Sequence, residues 1–179
     1  MPTLRAALWL LPLCALAACG SPGATRMGDD AGVSAPVECA PFARALTGVQ
    51  LTGNAEDWWR QAAGRYQRTS TPTVGGILLL RSSGRLPSGH VAVITRVIST
   101  RQVLVTQANW VHHHVTQDQP VLDVSPANDW SVIRMWWPPS AQMGITDYPV
   151  LGFILPDRPA SHDQLIAATP RAVRIAENE

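Results

Sequence analysis

The sequence predicts an α+β domain in which N-terminal helices pack on an antiparallel β-sheet. Three observations carry that expectation. Apolar residues recur at helical spacing early in the chain, at Val37, Phe42, Ala45 and Leu46 and again across 55–68. After Gly75-Gly76 the apolar stretches become short, several of them alternating, as strands require. Two of these stretches are separated only by Ser99-Thr100, a turn short enough to fold them back on each other as a hairpin.

Composition narrows the function. The 179 residues suffice for one domain with a real core, and not for two once a targeting segment is set aside. With 46% hydrophobic residues and a formal net charge of +1, there is no basic surplus to track a nucleic acid. All 14 positive residues are arginine, which excludes a lysine nucleophile, a Schiff base and a phosphate loop of the Gly-Lys-Ser/Thr kind.

Residues 1–19 read as targeting. Arg5 precedes an apolar run over 6–18, the length of a signal-peptide core and short of the ~20 residues a spanning helix needs. The run ends Leu16-Ala17-Ala18-Cys19-Gly20, which resembles the bacterial lipobox, in which Cys19 carries a diacylglyceryl anchor. Ordinary cleavage after Ala15-Leu16-Ala17 is the other reading, and it would leave Cys19 able to bridge Cys39. Residues 20–35, rich in Gly, Ser, Ala, Asp and Pro, read as a flexible tether. With Cys14 in the discarded run and Cys19 lipidated, Cys39 is left as an unpaired thiol in an oxidising compartment.

The catalytic candidates follow from where the elements fall in the expected domain, residues 36–156. The first helix begins near Val37, with Pro36 and Pro41 confined to its first turn, so Cys39 sits at a helix N-terminus. Unsatisfied N–H groups and the positive end of the helix dipole stabilise a thiolate there, below the free value of about 8.5. A second helix is expected over 55–68 with Asn54 as its cap. Trp58 on it suits either the core or a wall for stacking against sugar. A buried strand over 77–81 precedes a strand over 89–98, in which His90, Ala92 and Ile94 share one face. If the turn pairs Ile98 with Arg101, His90 lies directly across from Asn109, with Gln107 as a diagonal neighbour. A three-residue loop would reverse that facing.

Further strands are expected over 121–124, 132–137 and 152–155. The tail over 157–179 is expected to be dispensable or loosely docked, with a short helix over 161–168. Trp110 is a candidate cleft wall or lid over the histidine. Asp129 suits its own turn or the edge of the cleft. The tract His112-His113-His114 reads as a polar loop, since adjacent strand residues point to opposite faces and no ligand set accompanies it.

Taken together, Glu38-Cys39-Ala40-Pro41-Phe42-Ala43-Arg44, Val74-Gly75-Gly76-Ile77-Leu78-Leu79, Ser88-Gly89-His90-Val91-Ala92-Val93 and Gln107-Ala108-Asn109-Trp110 resemble, in order, the CHAP domain (cysteine, histidine-dependent amidohydrolase/peptidase) of the papain-like NlpC/P60 group. The resemblance implies a papain-like fold and a cell-wall peptidoglycan amidase or endopeptidase. It makes Cys39 the nucleophile, His90 the base and Asn109 the third catalytic member; Trp110 and Trp58, read from their aromatic character, are the candidate substrate contacts. Many of these domains carry a glutamate where this chain has Gln107, which is therefore assigned a supporting role. No cofactor and no metal are implied, and a monomer is expected. The lipobox places it in the bacterial cell envelope, on the periplasmic side, at the outer membrane in preference to the inner. A non-catalytic lipoprotein binding the wall or a partner enzyme, and a cysteine peptidase acting on protein, are the other readings.

Overall fold

The computed structural model describes residues 32–179, so Cys19, the lipobox and residues 20–31 of the expected tether lie outside the described residues. The element order is β1 (Val33–Ser34), α1 (Cys39–Thr47), α2 (Ala55–Gln61), β2 (Gln67–Thr69), β3 (Ile77–Leu80), β4 (His90–Ser99), β5 (Gln102–Ala108), β6 (His114–Asp123), β7 (Val132–Trp137), a 3-10 turn (Pro138–Ser140), β8 (Gln142–Met143), β9 (Tyr148–Leu155) and α3 (His162–Ala176). The α+β class and the antiparallel pairing are as expected. The sheet, however, is not open: β6, β5, β4, β3, β9 and β7 pair in sequence, and β7 pairs again with β6, closing a six-stranded barrel.

Strand alternation divides the apolar side chains into two cores. Leu78, Leu80, Ala92, Ile94, Val105 and Phe153 belong to the set that fills the barrel. Ile77, Leu79, Val91, Val93 and Val115 belong to the opposite set, which packs under the helices with Phe42, Leu46, Trp58 and Leu165. α1 buries Ala40, Phe42, Ala43 and Leu46 and ends at Gly48, whose φ of 77° lets its N–H return to the carbonyl of Arg44. Burying the Phe42 ring contributes about 1.5–3 kcal/mol by area.

The hairpin that presents His90 reaches the expected pairing by an unexpected route. Its turn is Thr100-Arg101, one residue later than predicted, so Ser99 rather than Ile98 starts the ladder, opposite Gln102. Two irregularities, between Val97 and Ser99 and between Ile94 and Arg96, then shift the register back until Val93 meets Thr106 and Ile94 meets Val105. Gly89 makes the entry into β4 possible. Its φ is +69°, and a Cβ there would fall 2.7 Å from the carbonyl oxygen of Leu80.

Three boundaries differ from the sequence reading. The tether does not extend to residue 35: Val33 and Ser34 pair with Val115 and His114, and Ala35 and Val37 are buried. α2 is shorter than 55–68, and the segment after it supplies β2, which pairs with β9. The tail is docked rather than loose. α3 starts with a Ser161/Gln164 capping box, runs through Pro170, and buries Leu165, Thr169, Ala172 and Ala176. It packs along α1, and Arg44 of α1 forms an ion pair with Glu179.

The start of α3 is also tied to the barrel, because His162 Nε2 lies 3.0 Å from Asp118 Oδ2 on β6. The Asp118 hydrogen bond raises the imidazole above its ordinary value. Asp163 adds to that effect, and partial burial and Arg96 oppose it. A raised folded-state value means that the contribution is fully present below the unfolded imidazole value of about 6.5 and is lost as pH rises through the folded value. The Tm difference between the protein and Asp118→Asn is therefore expected to be largest at acid pH and to shrink across that window. A pH-independent difference would assign the effect to the Thr95–Asp118 hydrogen bond of 2.6 Å.

Candidate active site

Cys39 is the first residue of α1, and its thiol is in no disulfide. At this position the N–H groups of Cys39 and Ala40 have no intrahelical acceptor, and Pro41 has no N–H at all. Glu38, the N-cap residue, makes no side-chain capping bond to them. The first turn therefore offers free donors beside the sulfur.

His90 opens β4 and is 3% exposed. It couples electrostatically to the Cys39 thiol on one side, and on the other its Nε2 lies 2.9 Å from Gln107 Oε1. Because Nε2 is occupied by Gln107, Nδ1 is the nitrogen that faces sulfur. The amide oxygen can only accept, so it holds the neutral ring in the Nε2–H tautomer, with the Nδ1 lone pair directed at the thiol. Gln107 Nε2 is buried without a hydrogen-bond partner among the described residues, so the amide holds the ring through its oxygen alone.

Electrostatics favours the ion pair. Burial pushes the Cys39 thiol up, but the charge and hydrogen bond of His90, with the backbone N–H of Val91, outweigh it and bring the thiol below its ordinary value. Burial likewise pushes His90 down. The Cys39 thiolate, the hydrogen bonds to Cys39 and Gln107, and the charge of Glu38 outweigh that and raise it. The two shifts run toward each other, and both favour thiolate beside imidazolium, a nucleophile and an acid prepared together.

Cys39, His90 and Gln107 thus come together, and Asn109 does not join them. β5 ends at Ala108, and Asn109 turns away with φ 57°. Its Nδ2 donates to Glu38 Oε2 at 2.8 Å and its Oδ1 accepts from the His113 N–H at 2.9 Å. The expectation that Asn109 orients the imidazole is corrected to Gln107. The register was right, but a residue that leaves the strand no longer presents its side chain across the ladder, and the diagonal neighbour takes the bond.

Trp110 stands against the histidine, with ring centroids 5.2 Å apart, and Tyr148 meets its other side at 5.3 Å. Its Nε1 donates to the carbonyl of Trp136 at 3.0 Å, which fixes the indole. Beyond it opens a cleft of about 440 Å³ lined by Asn109, Trp110, Met135, Trp137, Tyr148 and Arg85, among others. Trp58 is fully buried among core residues of the helix layer, so the structure contradicts its assignment as a substrate contact. His112 and His113 stack at 3.8 Å in the loop before β6, and no group of three or more His, Cys, Asp or Glu converges as a metal site among the described residues. Asp129 hydrogen-bonds its own turn, accepting from the Ser131 N–H at 3.0 Å.

A helix-borne thiol, a strand-borne imidazole behind a left-handed glycine and an amide on the next strand define the site. Residues 28–109 match the CHAP domain. The crystal structure of Ly7917 and that of Ly7917 with the hydrolyzing product of MDP each align at 15% identity and a TM-score of 0.40. Each covers 70% of this chain, and this chain spans 57% of theirs. No curated protein matches the chain at a significant level.

The CHAP match ends at Asn109, so the indole over the histidine and most of the cleft are built by the chain that follows it. Tyr148, Trp137 and Glu38 were not assigned site roles from sequence. An acidic residue immediately before a candidate nucleophile was the one signal available for Glu38. Nothing in the sequence brought β9 beside β7 to place Tyr148. From the geometry, Gln107→Ala is expected to lower kcat/KM roughly 10- to 100-fold, less than the ~10⁴ lost when a triad's charged carboxylate is neutralised. Asn109→Ala is expected to cost less than Gln107→Ala, the reverse of the sequence expectation. Steady-state kinetics of the two variants side by side checks the order.

Proposed function

We propose that this chain is a cell-wall peptidoglycan hydrolase, an amidase or endopeptidase that cuts an amide bond through a Cys39 acyl-enzyme. The observation that carries this reading is the electrostatically coupled Cys39–His90 pair with Gln107 bonded behind the ring, on a segment that matches the CHAP domain. The order of parts, nucleophile at a helix start and histidine on a strand of an antiparallel sheet, supports reading the site as papain-like.

In the first half-reaction the Cys39 thiolate attacks the carbonyl carbon, forming the C–S bond and an oxyanion. The free N–H groups of Cys39 and Ala40 at the helix start hold that charge. The C–N bond breaks as Nδ1–H of the His90 imidazolium protonates the departing amine, leaving a thioester and a neutral ring. In the second half, Nδ1 takes a proton from water as its oxygen attacks the thioester. The acid product leaves, and thiolate and imidazolium are restored. Trp110, Trp137 and Tyr148 wall the cleft in which the substrate lies.

The pKa directions set the pH profile. kcat/KM is expected to rise with pH through a value below the ordinary thiol and to fall through a value above the ordinary imidazole. At the N-terminus, the proposal includes an acyl anchor on Cys19 holding the domain in the bacterial envelope on the periplasmic side. The mass of the mature N-terminal peptide tests that part.

The experiment for the hydrolase reading is incubation with purified peptidoglycan and mass analysis of released fragments, with Cys39→Ala beside it. Fragments released by the parent alone, with new amine ends, support it. Release by neither or by both alike leaves the wall-binding alternative.

A further inference from the structure

One carboxylate at the site is held across to the loop after β5. Glu38 immediately precedes Cys39 as the N-cap residue, a position where Ser, Thr, Asp or Asn would accept a first-turn N–H and where Glu38 makes no such bond. Instead its Oε2 accepts from Asn109 Nδ2 at 2.8 Å. Asn109 is itself fixed. Its φ of 57° is a conformation that Asn tolerates better than most residues, and its Oδ1 is taken by the His113 N–H. The amide is clamped by its own loop at one end, and the carboxylate is held next to the catalytic pair at the other. Meanwhile Gln107, on the far side of the ring, is neutral.

We propose that Glu38 is a positioning residue that supplies from the helix side the negative charge that Gln107 cannot supply from the sheet side, and that Asn109 acts by holding it there. This deepens the thiol–imidazole reading of the site and rests on it. The groups facing the pair are Glu38 from the N-cap of α1, neutral Gln107 from β5, and neutral Asn109 and Trp110 from the loop after β5; Arg85 lines the neighbouring cleft. A carboxylate beside the pair favours imidazolium and disfavours thiolate, so it makes both groups hold their protons more tightly.

That common direction separates a charge effect from a loosened structure. In Glu38→Gln the amide oxygen can still accept from Asn109, so only the charge is removed. The ionisation of Cys39 and that of His90 are then both expected to move to lower pH. If Glu38 were merely a strut, its loss would separate the pair. The thiol would then move up toward its ordinary value while His90 moved down.

The test uses the full chain. Alkylation of Cys39 by iodoacetamide is followed against pH by the mass of its peptide, and the His90 ring is titrated by NMR, with thermal unfolding recorded for each variant. Glu38→Gln should make Cys39 react faster at acid pH and lower both inflections. Asn109→Ala should move both the same way by less, and the double variant should match Glu38→Gln. Unmoved inflections in either single variant, opposite movements, or an undiminished effect of Asn109→Ala on top of Glu38→Gln would overturn the proposal. Alkylation needs no substrate. A protein inert on peptidoglycan whose inflections still move as stated would therefore defeat the hydrolase reading and not this one.

Discussion

Cys39→Ala is expected to abolish amide hydrolysis, by on the order of 10³-fold or more, while the fold survives. The magnitude follows from removing the atom to which the acyl group bonds, and members of a nucleophile–base unit fail together when one is lost. The fold survives because Cys39 is only partly buried and packs at the edge of the helix-layer core, so Ala removes little apolar contact. The exchange also removes the thiolate that sustains the buried imidazolium. His90 in this variant is expected to titrate lower than in the parent, since burial, the largest influence on it, is then opposed by Gln107 and Glu38 alone. Fragment release from peptidoglycan measures the first effect and NMR titration of His90 the second.

Deleting residues 162–179 is expected to unfold the domain, or to leave it too unstable to hold its site. α3 covers the same face of the core that α1 uses, with Leu165 fully buried and Ala172 1% exposed. The single change Leu165→Ala is expected to cost about 2–5 kcal/mol, a large part of the roughly 5–15 kcal/mol that holds a domain of this kind. Full deletion removes Thr169, Ala172, Ala176 and the Arg44–Glu179 pair as well, and strips one side of α1. Since α1 carries Cys39 against His90, activity should fall with stability. Denaturant midpoints of the parent and the two variants check the order.

The chemistry-bearing pieces were legible in the sequence because each is local. A proline-bounded helix start placed Cys39, and a ten-residue strand behind Gly89 placed His90. Global features were less so. Barrel closure depends on β7 pairing with both β6 and β9, contacts between distant segments that period-2 patterns do not encode. β1 and β2 are two and three residues long, too short to show a period. The helix expected over 161–168 continues through Pro170 to Ala176, because packing on α1 outweighs the lost N–H. Asn109 was misplaced by one conformational fact, a left-handed backbone just past the strand, which no propensity for Asn specifies uniquely. Helical spacing left Trp58 suited to either the core or a stacking wall, and the structure buries it fully.

The central claim is that an anionic sulfur and a cationic ring coexist at the start of α1, and a pH titration of thiolate ultraviolet absorbance, taken as the difference between the parent and Cys39→Ala, tests it most directly. The signal is expected to appear below the ordinary thiol value of about 8.5 and to shift upward in His90→Ala. A single ionisation at or above that value, unmoved by His90→Ala, would contradict it.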